Sequence, residues 1–336
     1  MAGRAERVWA VPRHTDDRTA GAVMGEERRP QAVMISKRAN VFYLEHVKVM
    51  QKDERVVYLT EARGDIEQFV AIPDRNTAFI LLGKGTSITD AAARKLAESN
   101  VLVGFCGSGG SPLFAQSDLT FLLPQDEYRP PDHAQAWFGL WGHAHHRVAM
   151  GREFLRYRAQ WNREMFARLS SPVPPEVFDD FASSLSLCAS TTELLAAEAH
   201  FAKNLYRLLA QYHRLDGFTR DQGRRKQETP QQAVNSFLDH GNYLAYGYAA
   251  VALHGMGIPY FLPVLHGKTR RGALVFDVAD LFKDWLVMPI AFESGASGAK
   301  DQVFRGRIIE AALKYRILDH VMGFISGLPK KIIDNQ

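Results

Sequence analysis

The chain has 336 residues, 46% of them hydrophobic and 23% charged, and carries a formal net charge of +4 at pH 7. This size and composition are typical of a packed globular protein of about two domains, and they exclude a peptide hormone or a disordered chain. The two cysteines, Cys106 and Cys188, form no Cys-x-x-Cys pair, which argues against zinc ribbons and iron–sulfur clusters and favours a cytoplasmic protein. Leu244 to Leu253 is too short an apolar stretch to cross a membrane, so we predict a buried helix there and no membrane association.

Residues 1–33 follow neither the period of a strand nor that of a helix and are predicted to form a flexible N-terminal extension. From Val41 onward, short β-branched and aromatic runs alternate with charged turns: VFYLEHVKV, RVVYLTE, IEQFVAI and TAFILL. This pattern predicts antiparallel strands. An Ala-rich helix, preceded by a capping pattern that begins at Ser87, and a buried strand, VLVGF, come next. We therefore predict a small β-domain over residues 34–115.

The rest of the chain, residues 116–336, is dominated by helical patterns, with apolar residues every three or four positions over 134–169 and 192–213. Residues 216–232 interrupt these patterns with polar and basic residues, two glycines and a proline, which predicts an exposed loop. The predicted fold is therefore α+β, with an N-terminal small β-domain followed by a larger all-helical catalytic domain.

Glu198 lies within the apolar stripe of the predicted helix over 192–213, four residues after Leu194 and three before Phe201. Its carboxylate should therefore point toward the side on which the helix packs. A buried carboxylate is costly unless a charge compensates it. Two compensators remain open at this point, an Arg or Lys from a neighbouring helix or a metal cation.

A second candidate cluster follows His266, where Asp277, Asp280 and Asp284 are spaced i, i+3 and i+7. On one helix these carboxylates would share a face and repel one another unless protons or a cation intervene. Simpler interpretations are that Asp277 caps the helix, that Asp284 is solvated and that His266 is a hydrogen-bonded core residue. One imidazole with two or three carboxylates is nevertheless the mixed ligand set that suits Mg²⁺ or Mn²⁺, and such sites activate phosphodiesters.

Basic residues lie close to this cluster in the sequence. Three of them fall between His266 and Asp277, where a nucleic-acid backbone would pass a metal bound there. We predict that the protein contacts DNA through phosphates rather than through bases. The predicted contacts are Lys203, Arg207, Arg214, Arg224, Arg225, Lys226, Lys268, Arg270 and Arg271.

A rival metal-binding candidate is the segment WGHAHHR, which holds His143, His145 and His146. On a helix only the first and last of these histidines share a face, and no carboxylate lies nearby in the sequence. We therefore interpret them as surface or interface residues.

Seven segments carry a resemblance to a known family: SKRANVFYL (36–44), LLGKGTSIT (81–89), VLVGFCGSGGSPLF (101–114), EYRP (127–130), EAHFAKNLY (198–206), FLDHGNYLAYG (237–247) and VLHGKTRRGALVFDVADLFKD (264–284). They resemble the integrases that acquire new spacers in CRISPR systems, and specifically the type I-F branch. The resemblance implies that Glu198, His266 and Asp277 coordinate a divalent metal, Mg²⁺ or Mn²⁺, with Asp280 assisting. It also implies a β-sandwich-like domain, through which two copies dimerise, joined to a helical catalytic domain.

The same resemblance implies a function. The protein would be a metal-dependent DNA endonuclease and integrase that inserts captured foreign DNA as spacers into a CRISPR array, by transesterification with a 3′-hydroxyl. Its implied partners are double-stranded DNA, a second copy of itself and the second CRISPR adaptation protein, which in type I-F systems is fused to the helicase-nuclease of interference. Two alternatives remain open: a metal-dependent repair nuclease that acts on branched DNA, and a DNA-binding scaffold without enzymatic activity.

Overall fold

A computed structural model of the chain describes residues 38, 40–60, 68–99, 101–105, 121–122, 131–169, 171–221, 229–266 and 272–334. These residues form two compact units, one of strands and a helix up to residue 122 and one of helices from residue 131 onward. The predicted α+β class, with a small β-domain ahead of a larger helical domain, is confirmed. The extension predicted over residues 1–33 lies outside the described residues.

The first sheet holds four strands, which in spatial order are β1 (Asn40–Leu44), β5 (Thr77–Leu82), β7 (Leu102–Phe105) and β8 (Phe121–Leu122). β5 is buried at every position, as expected of a central strand that is covered on both faces. β1 and β7 both pair with β5 in parallel, whereas β7 and β8 are antiparallel. The prediction of antiparallel strands is wrong for β1 and β5, because the chain forms other strands between them and returns in the same direction.

The second sheet holds, in spatial order, β4 (Gln68–Ile72), β3 (Arg55–Thr60), β2 (Lys48–Lys52) and β6 (Ser87–Ile88). β2, β3 and β4 are antiparallel, as predicted, and the short β6 adds to β2 in parallel. Helix α1 (Asp90–Glu98) follows, and the hydroxyl of its N-cap residue Thr89 accepts a hydrogen bond from the backbone N–H of Ala92. The helix therefore begins two residues later than the capping pattern at Ser87 predicts, because Ser87 pairs within β6.

Both sheets and α1 bury their apolar side chains in one hydrophobic core. Residues two apart on a strand share a face, which is why Phe42 with Leu44 and Ile80 with Leu82 enter it together. The core also contains Val47, Val49, Val56, Tyr58, Ile72, Ala92, Leu96, Val101 and Val103.

The helical unit contains nine helices within its described residues. They are α2 (Pro131–Trp141), α3 (Ala144–Arg168), α4 (Glu176–Ser184), α5 (Thr191–Tyr212), α6 (Pro230–Gly255), α7 (Ala273–Asp280), α8 (Lys283–Ala296), α9 (Asp301–Lys314) and α10 (Ile317–Asp334). None of these helices combines the length and the apolar character needed to cross a membrane.

Two helix boundaries differ from the predicted ones. The pattern over 134–169 is split into α2 and α3, because His143 adopts an extended backbone (φ −106°, ψ 128°) as the N-cap of α3. The loop predicted over 216–232 ends earlier, because Thr229 and Gln232 form a capping box and Pro230 begins α6. α5 spans the predicted helix over 192–213 almost residue for residue.

α6 is the central helix of this unit and packs against α7, α8, α9 and α10. The stretch Leu244 to Leu253 lies within it and is buried except for Tyr246, as the apolar sequence predicts. α8 approaches α6 at Gly295, where an added Cβ would lie 2.8 Å from the backbone nitrogen of Val234 and 3.0 Å from its Cα. The close contact of the two helices therefore requires a residue without a side chain at position 295.

Gly295→Ala is expected to lower the free energy of unfolding by about 1–3 kcal/mol, because the methyl group meets backbone that cannot move aside. The matched control is Gly323→Ala in α10, where an added Cβ meets nothing within 4 Å. That variant is expected to gain up to about 1 kcal/mol from the better helix propensity of alanine. Urea unfolding followed by circular dichroism measures both, and equal changes in the two variants would contradict the packing argument.

Candidate metal centre

Glu198 enters the interior from α5. The helix begins after Ser190, whose hydroxyl accepts a hydrogen bond from the backbone N–H of Glu193 at 3.2 Å. Leu194 and Phe201 are buried on its packed face, and Glu198 lies between them with 8% of its surface exposed. The spacing of this carboxylate within the apolar stripe therefore does place it inside the protein.

Asp277 holds the backbone that carries His266. Its side chain is fully buried and accepts hydrogen bonds from the backbone N–H groups of Val264 (2.6 Å), Leu265 (3.1 Å) and His266 (3.0 Å). The same carboxylate lies 2.8 Å from Nδ1 of the His266 ring. Both oxygens of Asp277 are thus engaged, and the interaction at Nδ1 leaves Nε2 of the imidazole to serve as a ligand.

The capping interpretation of Asp277 is wrong, whereas its role as a metal ligand stays a prediction. The N-cap of α7 is Gly272, which adopts a left-handed backbone (φ 72°, ψ 23°), so Asp277 lies within the helix and caps nothing. Its oxygens point to residues 264–266 and not to the carboxylates predicted to share a metal with it. The structure therefore gives Asp277 an orienting position behind His266.

Glu198, His266 and Asp280 converge, and each offers one ligand atom such that all three atoms lie within 4.8 Å of one another. Asp280 ends α7 and Asp284 lies in α8, so the single helical face predicted for the aspartates is broken between them. Oδ1 of Asp280 is buried without an aligned hydrogen-bond partner among the described residues, although the ammonium of Lys283 lies against it. A donor set of one imidazole nitrogen and two carboxylates fits a hard divalent cation such as Mg²⁺ or Mn²⁺.

The buried guanidinium of Arg158, on α3, joins the carboxylates of this cluster. Its Nε and Nη2 donate to the two oxygens of Asp284 at 2.7 and 3.1 Å, and its Nη1 donates to Oε1 of Glu198 at 2.5 Å. The same Nη1 lies 3.8 Å from Oδ2 of Asp280. Asn162, one turn further along α3, donates to Asp284 at 3.2 Å. The two compensators left open for Glu198 are therefore compatible, since an arginine binds the same carboxylate that faces the candidate metal ligands.

The pKa values of the three candidate ligands are moved in different directions. Burial alone would raise the pKa of Glu198, but the charges of Arg158, Lys283 and His266 outweigh it and lower the pKa to about 2. Burial raises the pKa of Asp280 to about 6 in spite of the neighbouring Lys283. Burial lowers the pKa of His266, but its hydrogen bond with Asp277 and the surrounding carboxylates raise that pKa overall. Glu198 is therefore ionised at neutral pH, Asp280 titrates closer to neutral pH, and the imidazole of His266 holds its proton more firmly than a free histidine does.

The affinity for a divalent cation is expected to fall as the pH falls from 8 to 5. A metal must displace the proton of His266 and, below pH 6, also that of Asp280, whereas Glu198 stays ionised throughout this range. Each competing proton weakens binding by about tenfold per pH unit below its pKa. Titration of the protein with Mn²⁺ at several pH values measures this, and a pH-independent affinity would contradict the assignment of these ligands.

The predicted DNA contacts fall in two groups. Lys203 and Arg207 are exposed on α5, and the guanidinium of Arg207 donates to the neutral acceptors Asn204 (2.7 Å) and Gln211 (3.1 Å), which leave its charge unneutralised. Arg214 is also exposed, just beyond the end of α5. The remaining predicted contacts lie outside the described residues, namely Arg224, Arg225, Lys226, Lys268, Arg270 and Arg271.

A groove of 980 Å³ runs between α5 and residues 215–220. Its lining starts at Ala199, the neighbour of Glu198 in the chain, and includes both Lys203 and Arg207. Tyr206 and Phe218 add aromatic surface to the same groove. The groove therefore offers positive charge and aromatic rings beside the helix that supplies Glu198.

Arg158 and Lys283 are the charged members of the cluster that the sequence analysis missed. Arg158 lies four residues after Phe154 and seven before Met165, both buried, so it occupies an apolar stripe of α3 as Glu198 does in α5. The inward position of Arg158 could therefore be predicted from the periodicity of α3, as that of Glu198 is from α5. Lys283 gave no such signal, because it opens α8 directly after the break that follows α7.

The three histidines at the start of α3 do come together, with ring centroids of His145 and His146 4.1 Å apart and those of His143 and His146 5.2 Å apart. The helical-face argument did not foresee this, because His143 is the N-cap and lies outside the helix. Within the described residues, their nitrogens do not form a group of three ligand atoms as close as that of Glu198, His266 and Asp280.

A family model and two similar proteins that match this chain all carry the same family name. The family model described as "CRISPR associated protein Cas1" matches residues 42–305. A protein of Pectobacterium atrosepticum, named CRISPR-associated endonuclease Cas1, is 40% identical over 90% of this chain and 95% of its own length. A protein of the same name from Pseudomonas aeruginosa is 40% identical over 90% of this chain and 96% of its own length.

Three solved structures show the same fold at lower identity. A complex of TtCas1 with DNA has a TM-score of 0.62 and 21% identity, and covers 86% of this chain and 90% of its own. A casposase bound to its integration product has a TM-score of 0.64 and 16% identity, and covers 87% of this chain and 91% of its own. A Cas6-RT-Cas1–Cas2 complex has a TM-score of 0.56 and 12% identity, and covers 88% of this chain and 35% of its own.

Proposed function

The chain belongs to the Cas1 family of CRISPR-associated proteins, and on that premise we propose that it is a metal-dependent endonuclease and integrase that inserts captured DNA into a CRISPR array. One observation carries the proposal: two carboxylates and an imidazole present ligand atoms within 4.8 Å of one another. The names of the 40% identical relatives and the casposase with its integration product support the same class of reaction.

Glu198, His266 and Asp280 are the proposed ligands of Mg²⁺ or Mn²⁺, with Asp277 as the residue that orients His266. A cation bound there would supply Lewis-acid polarisation of a phosphoryl oxygen and would help to activate the attacking hydroxyl. The chain itself supplies the rest. Arg158 holds Glu198 near Asp280, and the ammonium of Lys283 keeps its proton because the charge of Asp280 raises its pKa against the effect of burial. That ammonium places positive charge beside the position where charge develops on phosphate.

The proposed strand transfer exchanges one phosphodiester bond for another. The 3′-hydroxyl oxygen of the captured DNA bonds to a phosphorus atom of the array, the bond from that phosphorus to its original 3′-oxygen breaks, and the released oxygen takes up a proton. Water in place of the 3′-hydroxyl gives hydrolysis, which is the endonuclease reaction. The same donor set therefore serves both activities.

We propose that DNA reaches the centre along the groove beside α5. Lys203→Ala and Arg207→Ala are each expected to reduce the slope of log affinity against log salt by about one, because each removes one phosphate contact. The control is Arg168→Ala at the end of α3, whose exposed guanidinium pairs with Glu164 away from this groove. Fluorescence anisotropy of labelled duplex DNA at several salt concentrations measures the slopes, and a slope unchanged in both groove variants would remove the groove from the DNA path.

The proposed assembly is a homodimer formed through the β-domain that works with the second CRISPR adaptation protein. The solved complex of a Cas1-containing chain with Cas2 supports such a partner. The type I-F assignment, in which that partner is fused to the helicase-nuclease of interference, rests on the sequence resemblance and is part of the proposal.

Strand transfer on a supercoiled plasmid that carries a leader and a repeat tests the function. The reaction contains a short duplex with 3′-hydroxyl ends, the partner protein and Mg²⁺ or Mn²⁺, and compares wild type with Glu198→Ala. Joined products that require the metal and disappear in the variant would support the integrase. Cutting without joining would favour a repair nuclease of branched DNA, and DNA binding without metal binding would favour a scaffold.

A further inference from the structure

Two tryptophans of α2 hold the chain segment that leads to His266. The indole N–H of Trp137 donates to the backbone carbonyl of Leu262 at 3.2 Å, and that of Trp141 donates to the carbonyl of Pro263 at 2.7 Å. Residues four apart lie on one face of a helix, so both indoles reach the segment from the same side of α2. This face of α2 therefore binds the segment that directly precedes the candidate metal ligand His266.

Residues 262–266 belong to no helix or strand, and each of the five gives one backbone polar group to a side chain. The two carbonyls go to the indoles, and the next three N–H groups go to the carboxylate of Asp277. A segment without a hydrogen-bond ladder of its own is thus fixed from two sides by side chains. His266 lies at the end of the fixed stretch.

The two indoles are themselves held in place. Trp137 is fully buried and meets Phe154 of α3 edge to face, with ring centroids 6.1 Å apart. The guanidinium of Arg147 lies 5.3 Å from the centre of the Trp141 ring and donates to the carbonyl of the same residue at 2.6 Å. Neither indole can follow a displaced segment without breaking these contacts.

We propose that Trp137 and Trp141 are positioning residues of the metal centre. They fix the positions of residues 262 and 263, so that the backbone N–H groups of the next three residues reach Asp277. As a result, Nε2 of His266 faces Glu198 and Asp280. Groups that orient a metal ligand from behind set metal affinity even though they never touch the metal. The inference rests on the proposed metal centre and extends it to α2, a helix in which no candidate residue was predicted.

Trp141→Phe removes one N–H donor and keeps an aromatic ring, and Trp137→Phe does the same at a fully buried position. The matched control is Trp285→Phe in α8, because the buried indole N–H of Trp285 has no hydrogen-bond partner within the described part of the chain. The full chain is titrated with Mn²⁺ and followed by electron paramagnetic resonance, and the thermal unfolding midpoint of each metal-free variant is measured alongside.

Trp141→Phe is expected to weaken Mn²⁺ binding by about three- to tenfold, the equivalent of one lost hydrogen bond, and to broaden the spectrum of the bound ion. Trp285→Phe is expected to bind Mn²⁺ as wild type does, whatever its unfolding midpoint. If both tryptophan variants of α2 bind Mn²⁺ like the control, the positioning role is overturned while the metal centre stands. If wild type itself binds no Mn²⁺, the proposed metal centre fails and this inference fails with it.

Discussion

Replacing Asp280 with alanine is expected to abolish Mn²⁺ binding at the centre and to lower strand transfer by at least about a thousandfold. The carboxylate that this change removes is buried and offers one oxygen within 4.8 Å of ligand atoms of Glu198 and His266. Calorimetric titration with Mn²⁺ and the plasmid assay measure the two effects. The variant also leaves the buried ammonium of Lys283 without this ion pair, so its thermal unfolding midpoint is measured beside that of wild type to show that it folds.

Asp277→Asn is the informative comparison, because the sequence resemblance implies Asp277 as the ligand. The substitution keeps the shape of the side chain but weakens its hold on the N–H groups of residues 264–266. Mn²⁺ binding is expected to persist and to be about 10- to 100-fold weaker, as for other groups that orient a ligand from behind. Normal binding in Asp280→Ala together with complete loss in Asp277→Asn would return the ligand role to Asp277.

Asp284→Ala is expected to lower the free energy of unfolding by about 3–5 kcal/mol. The substitution removes both acceptors of a bidentate pair and leaves the guanidinium of Arg158 buried with Glu198 as its remaining hydrogen-bonded carboxylate. The side chains of the pair are 0% and 1% exposed, so water cannot replace the lost partner. Urea unfolding of the metal-free chain measures the change.

Glu164→Ala is the control for this prediction, since it breaks an ion pair with Arg168 on the same helix α3 in which both side chains are more than half exposed. Its unfolding free energy is expected to change by less than about 0.5 kcal/mol. Equal losses in Asp284→Ala and Glu164→Ala would contradict the burial argument.

The inward position of Glu198 could be predicted because helical periodicity depends on the sequence of α5 alone. The proposed ligand role of Asp280 could not be derived in the same way. Asp277 and Asp280 are three residues apart on α7. Which of the two accepts the backbone hydrogen bonds next to His266 depends on how residues 262–266 pack against the helix. That packing is a tertiary contact, and no periodicity within α7 encodes it.

In the β-domain, too, local features could be predicted from the sequence and tertiary contacts could not. The strand segments were predicted from β-branched and aromatic runs, which are local. The direction of the strands in the first sheet was not predicted correctly. β1 and β5 pair in parallel because the strands between them join the second sheet, and no local pattern encodes that. Helix α1 was likewise predicted, but its N-cap is Thr89 and not Ser87. Ser87 belongs to β6, which pairs with β2.

The charge balance of the buried cluster has a consequence for the order in which the protein loses its ligands. The carboxylates of Glu198, Asp277, Asp280 and Asp284 outnumber the positive charges of Arg158 and Lys283 by two, so a divalent cation removes the net negative charge of the cluster. A polyanion then binds more tightly to the loaded protein, and thermodynamic reciprocity requires that it strengthen cation binding by the same factor. A chelator concentration that strips the free protein should therefore leave the DNA-bound protein loaded.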